Sequence, residues 1–128
     1  AGLADATRRA IDGTHAGYYA VGAMTQGLGW ESYEWPTSLD ALLAGNSPGV
    51  VLEPNAVKKL DPPMPPARER LYNKTGSTNG FGAYVAFVPS KGIGVVMLAN
   101  RSHPIADRVR AAYRILTALE EVARTVAR

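Results

Sequence analysis

The sequence predicts an α+β fold in which helices cover an antiparallel sheet, and three observations lead there. Phe81 to Val88 and Ile93 to Ala99 are nearly unbroken apolar runs separated by Pro89-Ser90-Lys91-Gly92, the pattern of two strands joined by a tight hairpin. Neither run alternates apolar with polar, so both faces of the hairpin are expected to be covered, giving a three-layer arrangement. Beyond Pro104, the residues Val109, Ala112, Tyr113, Leu116, Leu119, Ala123 and Val126 fall on one stripe, while Arg110, Arg114, Glu121 and Arg124 fall opposite. That is a long amphipathic helix with a core-facing side, and it supplies one of the covering layers.

The other elements follow in chain order. Leu3, Ala6, Ala10 and Ile11 are near helical spacing, with Asp5, Arg8, Arg9 and Asp12 on the other side, so a short helix is expected from Leu3 to His15, ending at Gly13 or Gly17. The state of Tyr18 to Met24 is left open by its pattern. Gly27 to Trp35 alternates large apolar and polar residues and stops at Pro36, which suits a half-buried strand. Ser38 to Leu43 reads as one or two helical turns closing at Gly45. Asn46 to Gly49 is a turn, Val50-Val51-Leu52 a short strand, and Pro62-Pro63-Met64-Pro65-Pro66 a stiff polyproline stretch making a surface excursion. Two strands with so few helices make a small core, and part of the covering layer is expected to lie outside the chain. The start, Ala1-Gly2-Leu3-Ala4-Asp5, enters a helical pattern almost at once and has no basic stretch leading into an apolar one, so it reads neither as a signal peptide nor as a natural beginning.

Composition narrows the function. The 128 residues are 46% apolar and 20% charged, ordinary globular usage that excludes a disordered tail. No window offers the roughly 18 uncharged apolar residues that span a bilayer, so no membrane insertion is expected. With no cysteine and only His15 and His103, thiol chemistry is excluded and a histidine metal centre is not expected. Fourteen basic residues against eleven acidic ones give +3, but the ten arginines are scattered, whereas nucleic acid asks for a dense basic stripe. No nucleic-acid partner is expected.

Asn73-Lys74-Thr75-Gly76-Ser77-Thr78-Asn79-Gly80 stands between the proline stretch and the hairpin, where it is expected to begin the apolar strand. Lys-Thr-Gly is one of three short signatures of the penicillin-recognising serine enzymes. Acyl transfer to a serine passes through a tetrahedral oxyanion that fixed N–H donors must meet. An edge strand offers such donors, because alternate N–H groups lack a neighbour, and a substrate can lie along it like an added strand. Gly76 and Gly80, without Cβ atoms, permit close approach. Alternation sends Lys74 and Thr75 to opposite faces; Lys74 can supply positive potential and Thr75 a hydroxyl for an anionic group.

Gly27-Leu28-Gly29-Trp30-Glu31, Lys74 through Pro89 and Gly94 through Arg101 together resemble the C-terminal third of a class C (AmpC-type) β-lactamase, over essentially the whole chain. The resemblance implies part of the three-layer αβα β-lactamase/transpeptidase-like fold, residues 1–128 being the C-terminal portion of a single domain. It also implies a periplasmic serine hydrolase that opens β-lactam rings, favouring cephalosporins, without metal or other cofactor. By position, Lys74 and Thr75 lie in the substrate site and Ser77 gives one backbone oxyanion donor. Gly76, Thr78, Asn79 and Arg108 lie along the cleft toward the substrate carboxylate, and Leu52, with Val51, borders the pocket for the leaving side chain. Ile105 stands where many relatives have Asn, and Asn73 where some have His.

What is absent matters equally. None of Ser32, Ser38, Ser47, Ser77, Ser90 or Ser102 has Lys three residues on, and no tyrosine begins Tyr-x-Asn. Ser77-Thr78-Asn79 has the Ser-x-Asn form but overlaps the Lys-Thr-Gly segment and cannot also face it across a cleft. The chain is therefore expected to hold one wall of an active site, with the nucleophile on a missing N-terminal portion as partner and a β-lactam as substrate. Two rivals are a penicillin-binding protein or esterase of the same fold, and an inactive fragment that pairs with another chain.

Overall fold

The computed structural model describes Gly2 and residues 4–126. The chain runs α1 (Asp5–His15), β1 (Gly17–Val21), β2 (Met24–Gln26), β3 (Glu31–Glu34), α2 (Leu39–Gly45) and α3 (Pro48–Leu52). It continues through β4 (Lys58–Met64), β5 (Arg70–Ser77), β6 (Gly82–Val88), β7 (Ile93–Ala99) and α4 (Ile105–Val126). Seven strands form one antiparallel sheet in the order β4-β1-β2-β3-β5-β6-β7. The expected fold class is therefore present, with more strands than the two most apolar runs announce.

The hairpin sits where its pattern places it, with Val88 opposite Ile93 and Gly82 opposite Ala99. Successive side chains of a strand point to opposite faces. On β6, Gly82, Tyr84, Ala86 and Val88 are buried against Val109, Ala112 and Leu116 of α4, with Tyr33, Trp35, Leu42 and Leu71 completing the core. Burial holds the Tyr33 and Tyr84 phenols well above the usual range. The opposite face of the hairpin is covered only in part within the described residues: His15 of α1 packs on Phe87, while Val96 is 65% and Leu98 81% exposed. The bare part is the side on which the covering layer was expected to lie outside the chain. The stripe of α4 is core only as far as Leu116; Leu119 and Val126 are exposed, beyond the reach of the sheet.

Three local readings are also corrected. Val50 to Leu52 is helical: Pro48 occupies the first turn of α3, where a missing N–H is harmless, after Ser47 as N-cap. The proline stretch is not a free excursion, because Pro62 and Pro63 lie in β4. That strand is the outer edge of the sheet and pairs with β1, and a register shift between Gly17 and Tyr19 absorbs the residues that cannot donate. The strand expected over Gly27 to Trp35 is only Glu31–Glu34. Elsewhere the reading stands: α1 ends at His15, and α2 runs to Gly45; the structure adds that Ser38 caps it by accepting from the Ala41 N–H at 3.1 Å. The helical reading at Leu3 lies outside the described residues.

Candidate active site

Lys-Thr-Gly does not open the apolar strand. It lies at the end of a strand of its own, β5, and Asn79-Gly80 turns the chain into β6, with the Thr78 N–H donating to the Phe81 carbonyl at 3.0 Å. Asn-Gly is itself a sequence signal for such a tight turn. In the sheet, β5 is an interior strand for half its length only. It pairs with β3 from Arg70 to Asn73, then β3 stops at Glu31 and the rest of β5 has β6 alone beside it. The stop has a local cause: the Gly27 N–H closes onto the Trp30 carbonyl at 2.7 Å and Gly29 takes a left-handed φ of 86°, turning the chain out of the sheet.

Alternation of the antiparallel ladder then orients the amides. Because Thr78 and Phe81 are a hydrogen-bonded pair, Ser77 and Gly82 are a non-bonded one, as are Thr75 and Tyr84. The N–H groups of Thr75 and Ser77 therefore point away from β6, to the open edge.

Lys74 reaches across the same edge. Its Nζ donates to Glu31 Oε1 at 2.7 Å, pairing a half-exposed ammonium with a buried carboxylate. Behind this pair is a chain of buried amides: Asn73 donates to the Glu31 carbonyl at 3.2 Å, and Asn46 donates to Asn73 Oδ1 at 3.2 Å and to the Leu42 carbonyl at 2.9 Å. Asn46 and Asn73 thus tie the end of α2 to the backbone under Lys74. Glu31 was missed as a site residue. It stood in the Gly27–Glu31 segment, but nothing in one sequence reveals the register that sets it beside Lys74.

Arg108 supports the strand from the other side. It is 4% exposed, in the first turn of α4, and donates to the Gly76 carbonyl at 2.7 Å, the Ala83 carbonyl at 2.5 Å and Ser77 Oγ at 2.7 Å, with Nε unpartnered. Gly82 lies against it: a Cβ there would stand 3.4 Å from the guanidinium, in ordinary contact. Its donors are directed at β5 and β6.

Thr78 and Asn79 are exposed beside these groups. On the face opposite α4, an open groove of ≈ 680 Å³ runs along Gly76, Ser77, Thr78, Phe81, Ala83 and Leu98. At Gly76 an added Cβ would meet nothing closer than Ala83 Cβ at 3.7 Å. Lys74 to Asn79 and Arg108 are thus brought together. Leu52 is not: it sits in α3, is 78% exposed, and is absent from the groove lining. Ile105 begins α4 and packs against the core.

Comparison with known proteins identifies the family. The β-lactamase family profile matches residues 2–120. A β-lactamase of Pseudomonas fluorescens is 56% identical over 114 residues, covering 89% of this chain and 32% of that protein. A crystal structure of a D-alanine carboxypeptidase AmpC from Burkholderia cenocepacia superposes with a TM-score of 0.90 at 49% identity, covering 92% of this chain and 34% of the other. A class C β-lactamase crystal structure gives 0.86 at 46%, over 91% and 32%. The chain thus spans about a third of the length of the relatives it matches. It belongs to the β-lactamase family, with class C enzymes among its structural neighbours.

Proposed function

We propose that this chain is the C-terminal wall of a class C serine β-lactamase that opens cephalosporins and penicillins through an acyl-enzyme in the periplasm, contributing to antibiotic resistance. The nucleophile and its base belong to polypeptide outside residues 1–128. The observation that carries the reading is the free edge of β5, with the Ser77 N–H directed outward beside Lys74. Ser77 is the backbone oxyanion donor, and Lys74 supplies positive potential where negative charge develops. Thr75, Gly76, Thr78 and Asn79 border the acyl group and its carboxylate, and Arg108 acts on the substrate through the strand it holds.

On this reading the isolated chain does not hydrolyse a chromogenic cephalosporin. Within a polypeptide of family length, Ser77→Pro removes the outward donor without removing a ladder bond and lowers kcat roughly 10²–10³-fold. Turnover by the purified isolated chain, or a Ser77→Pro enzyme within about twofold of its parent, overturns the assignment. A second reading is a D-alanine carboxypeptidase of the same fold, favoured by the Burkholderia neighbour's description. The lifetime of the penicilloyl-enzyme separates the two: a lactamase releases it quickly, a carboxypeptidase slowly.

A further inference from the structure

The end of α2 reaches the edge of β5 through side-chain amides. Asn46 is the C-cap of α2, its own N–H closing on the Leu42 and Ala44 carbonyls. The side chain turns inward, and Nδ2 uses both hydrogens, on the Leu42 carbonyl and on Asn73 Oδ1. Asn73 passes the contact on, its Nδ2 donating to the carbonyl of Glu31, the residue at which β3 ends on this side. Glu31 in turn holds Lys74 Nζ, so one unbroken run of contacts joins the helix end to the ammonium. The run is anchored in the core, where Leu42 is buried.

Stability alone does not account for it. Both amides are buried, and Asn46 Oδ1 has no partner among the described residues, a cost that an apolar side chain would not incur. Neither carbonyl depends on the amides. The Leu42 carbonyl already accepts from the Asn46 N–H at 3.1 Å. The alternation that turns the Thr75 and Ser77 amides away from β6 also points the Asn73 N–H at Glu31, its opposite residue on β3. What the side chains add is direction: they hold Asn73 in one orientation and put a second bond on Glu31 where the ladder gives out. The Lys74 ammonium is a point charge on a flexible stem, so its position is set by the partner that holds it.

Building on the assignment of Lys74 to the β-lactam site, we propose that Asn46 and Asn73 are positioning residues, holding Glu31 and through it the Lys74 ammonium where charge develops on the substrate. Neither lines the open groove along Gly76 and Ser77, so they act through Lys74 and touch no substrate.

The test uses the family-length protein that contains this chain. Asn46→Ser keeps a hydroxyl that can bond the carbonyl four residues back but does not reach Asn73, and Asn46→Ala removes both contacts. On a cephalosporin, each should lower kcat about tenfold with KM within about twofold, although Asn46→Ala loses more stability. In a Lys74→Gln background, itself impaired, neither lowers kcat further, because the group they position is gone. In crystals of the Asn46→Ser protein, Nζ should stand beyond about 3.5 Å from Glu31 Oε1 or take several conformers. A kcat within about twofold of the parent, the same fall with and without Lys74, or an Nζ–Oε1 contact unchanged at 2.7 Å each overturns the proposal. A Lys74→Gln protein as active as its parent overturns it together with the role given to Lys74. A parent that does not open the lactam overturns the functional reading alone, and the crystals then decide whether Asn46 holds Lys74.

Discussion

Arg108→Met puts a magnitude on how β5 is held. The guanidinium is 4% exposed and makes three donor contacts, at 2.7, 2.5 and 2.7 Å, to Gly76, Ala83 and Ser77. Hydrogen bonds with one charged partner contribute about 1.5–3 kcal/mol each, so three of them amount to about 6 kcal/mol. Against this stands the cost of burying a cation whose Nε has no partner, an effective several kcal/mol, taken as about 4. Methionine keeps the stem's volume and removes both terms, so the net loss is about 2 kcal/mol. For a domain between the surveyed sizes, about 4 °C per kcal/mol gives a Tm lower by about 8 °C. Thermal unfolding followed by circular dichroism measures it. Amide exchange at Gly76 and Ser77 should rise with it, because the support under both residues is gone. Arg108→Lys should recover only part, since one compact ammonium cannot span three acceptors. A Tm within about 2 °C of the parent, with Ser77 exchange unchanged, refutes the clamp.

Two further outcomes follow from contacts. In Gly45→Ala the new Cβ meets the buried Tyr33 hydroxyl, well inside contact distance, so the variant should lose about 2 kcal/mol or more by chemical denaturation; a loss under about 0.5 kcal/mol shows that Tyr33 yields. His15 has its pKa lowered from 6.5, first by burial, with Asp12 opposing. The unfolded chain therefore binds the proton more readily, and stability falls as pH drops from above 6.5 through the lowered value. His15→Phe should flatten that part of the stability–pH curve, and an unaltered slope removes His15 as its source.

How far the sequence was legible depends on the kind of signal. The β6–β7 hairpin, α4 and the short α2 closing at Gly45 rest on local patterns of apolar spacing and glycine stops, and all three were readable. Pro62 and Pro63 read as coil because proline cannot donate, yet an outermost strand needs donors on one side only, and which strand is outermost is a property of topology. Val50 and Val51 favour strands by propensity, but Pro48 and the preceding Ser47 start a helix turn that overrides them. At the site, Lys74 to Ser77 announced themselves by motif. Glu31 did not, because its place comes from lying opposite Asn73, 42 positions away in the sequence, in a register that only the fold sets. Arg108 was legible as a residue but not as to direction: it reaches the strand carbonyls beneath the site.

The outward amide of Ser77, the proposed oxyanion donor, depends on an arrest elsewhere. β3 has four residues and β5 eight, so β5 runs on for about four residues, roughly 14 Å at strand rise, without a partner on that side. Had β3 continued by two residues, the Ser77 amide would still be free, but the Thr75 amide and carbonyl would be paired. The approach to Lys74 would then be closed. A bare edge of this length invites pairing with another chain. Here it carries a charged lysine, held to Glu31 at the point where β3 ends, and a glycine with no side chain to bury. The Gly27–Trp30 loop and the Lys74–Glu31 pair are therefore one device. The first ends the neighbouring strand, and the second places charge on the edge that this exposes, leaving unpaired donors of the kind the proposed acyl substrate would use.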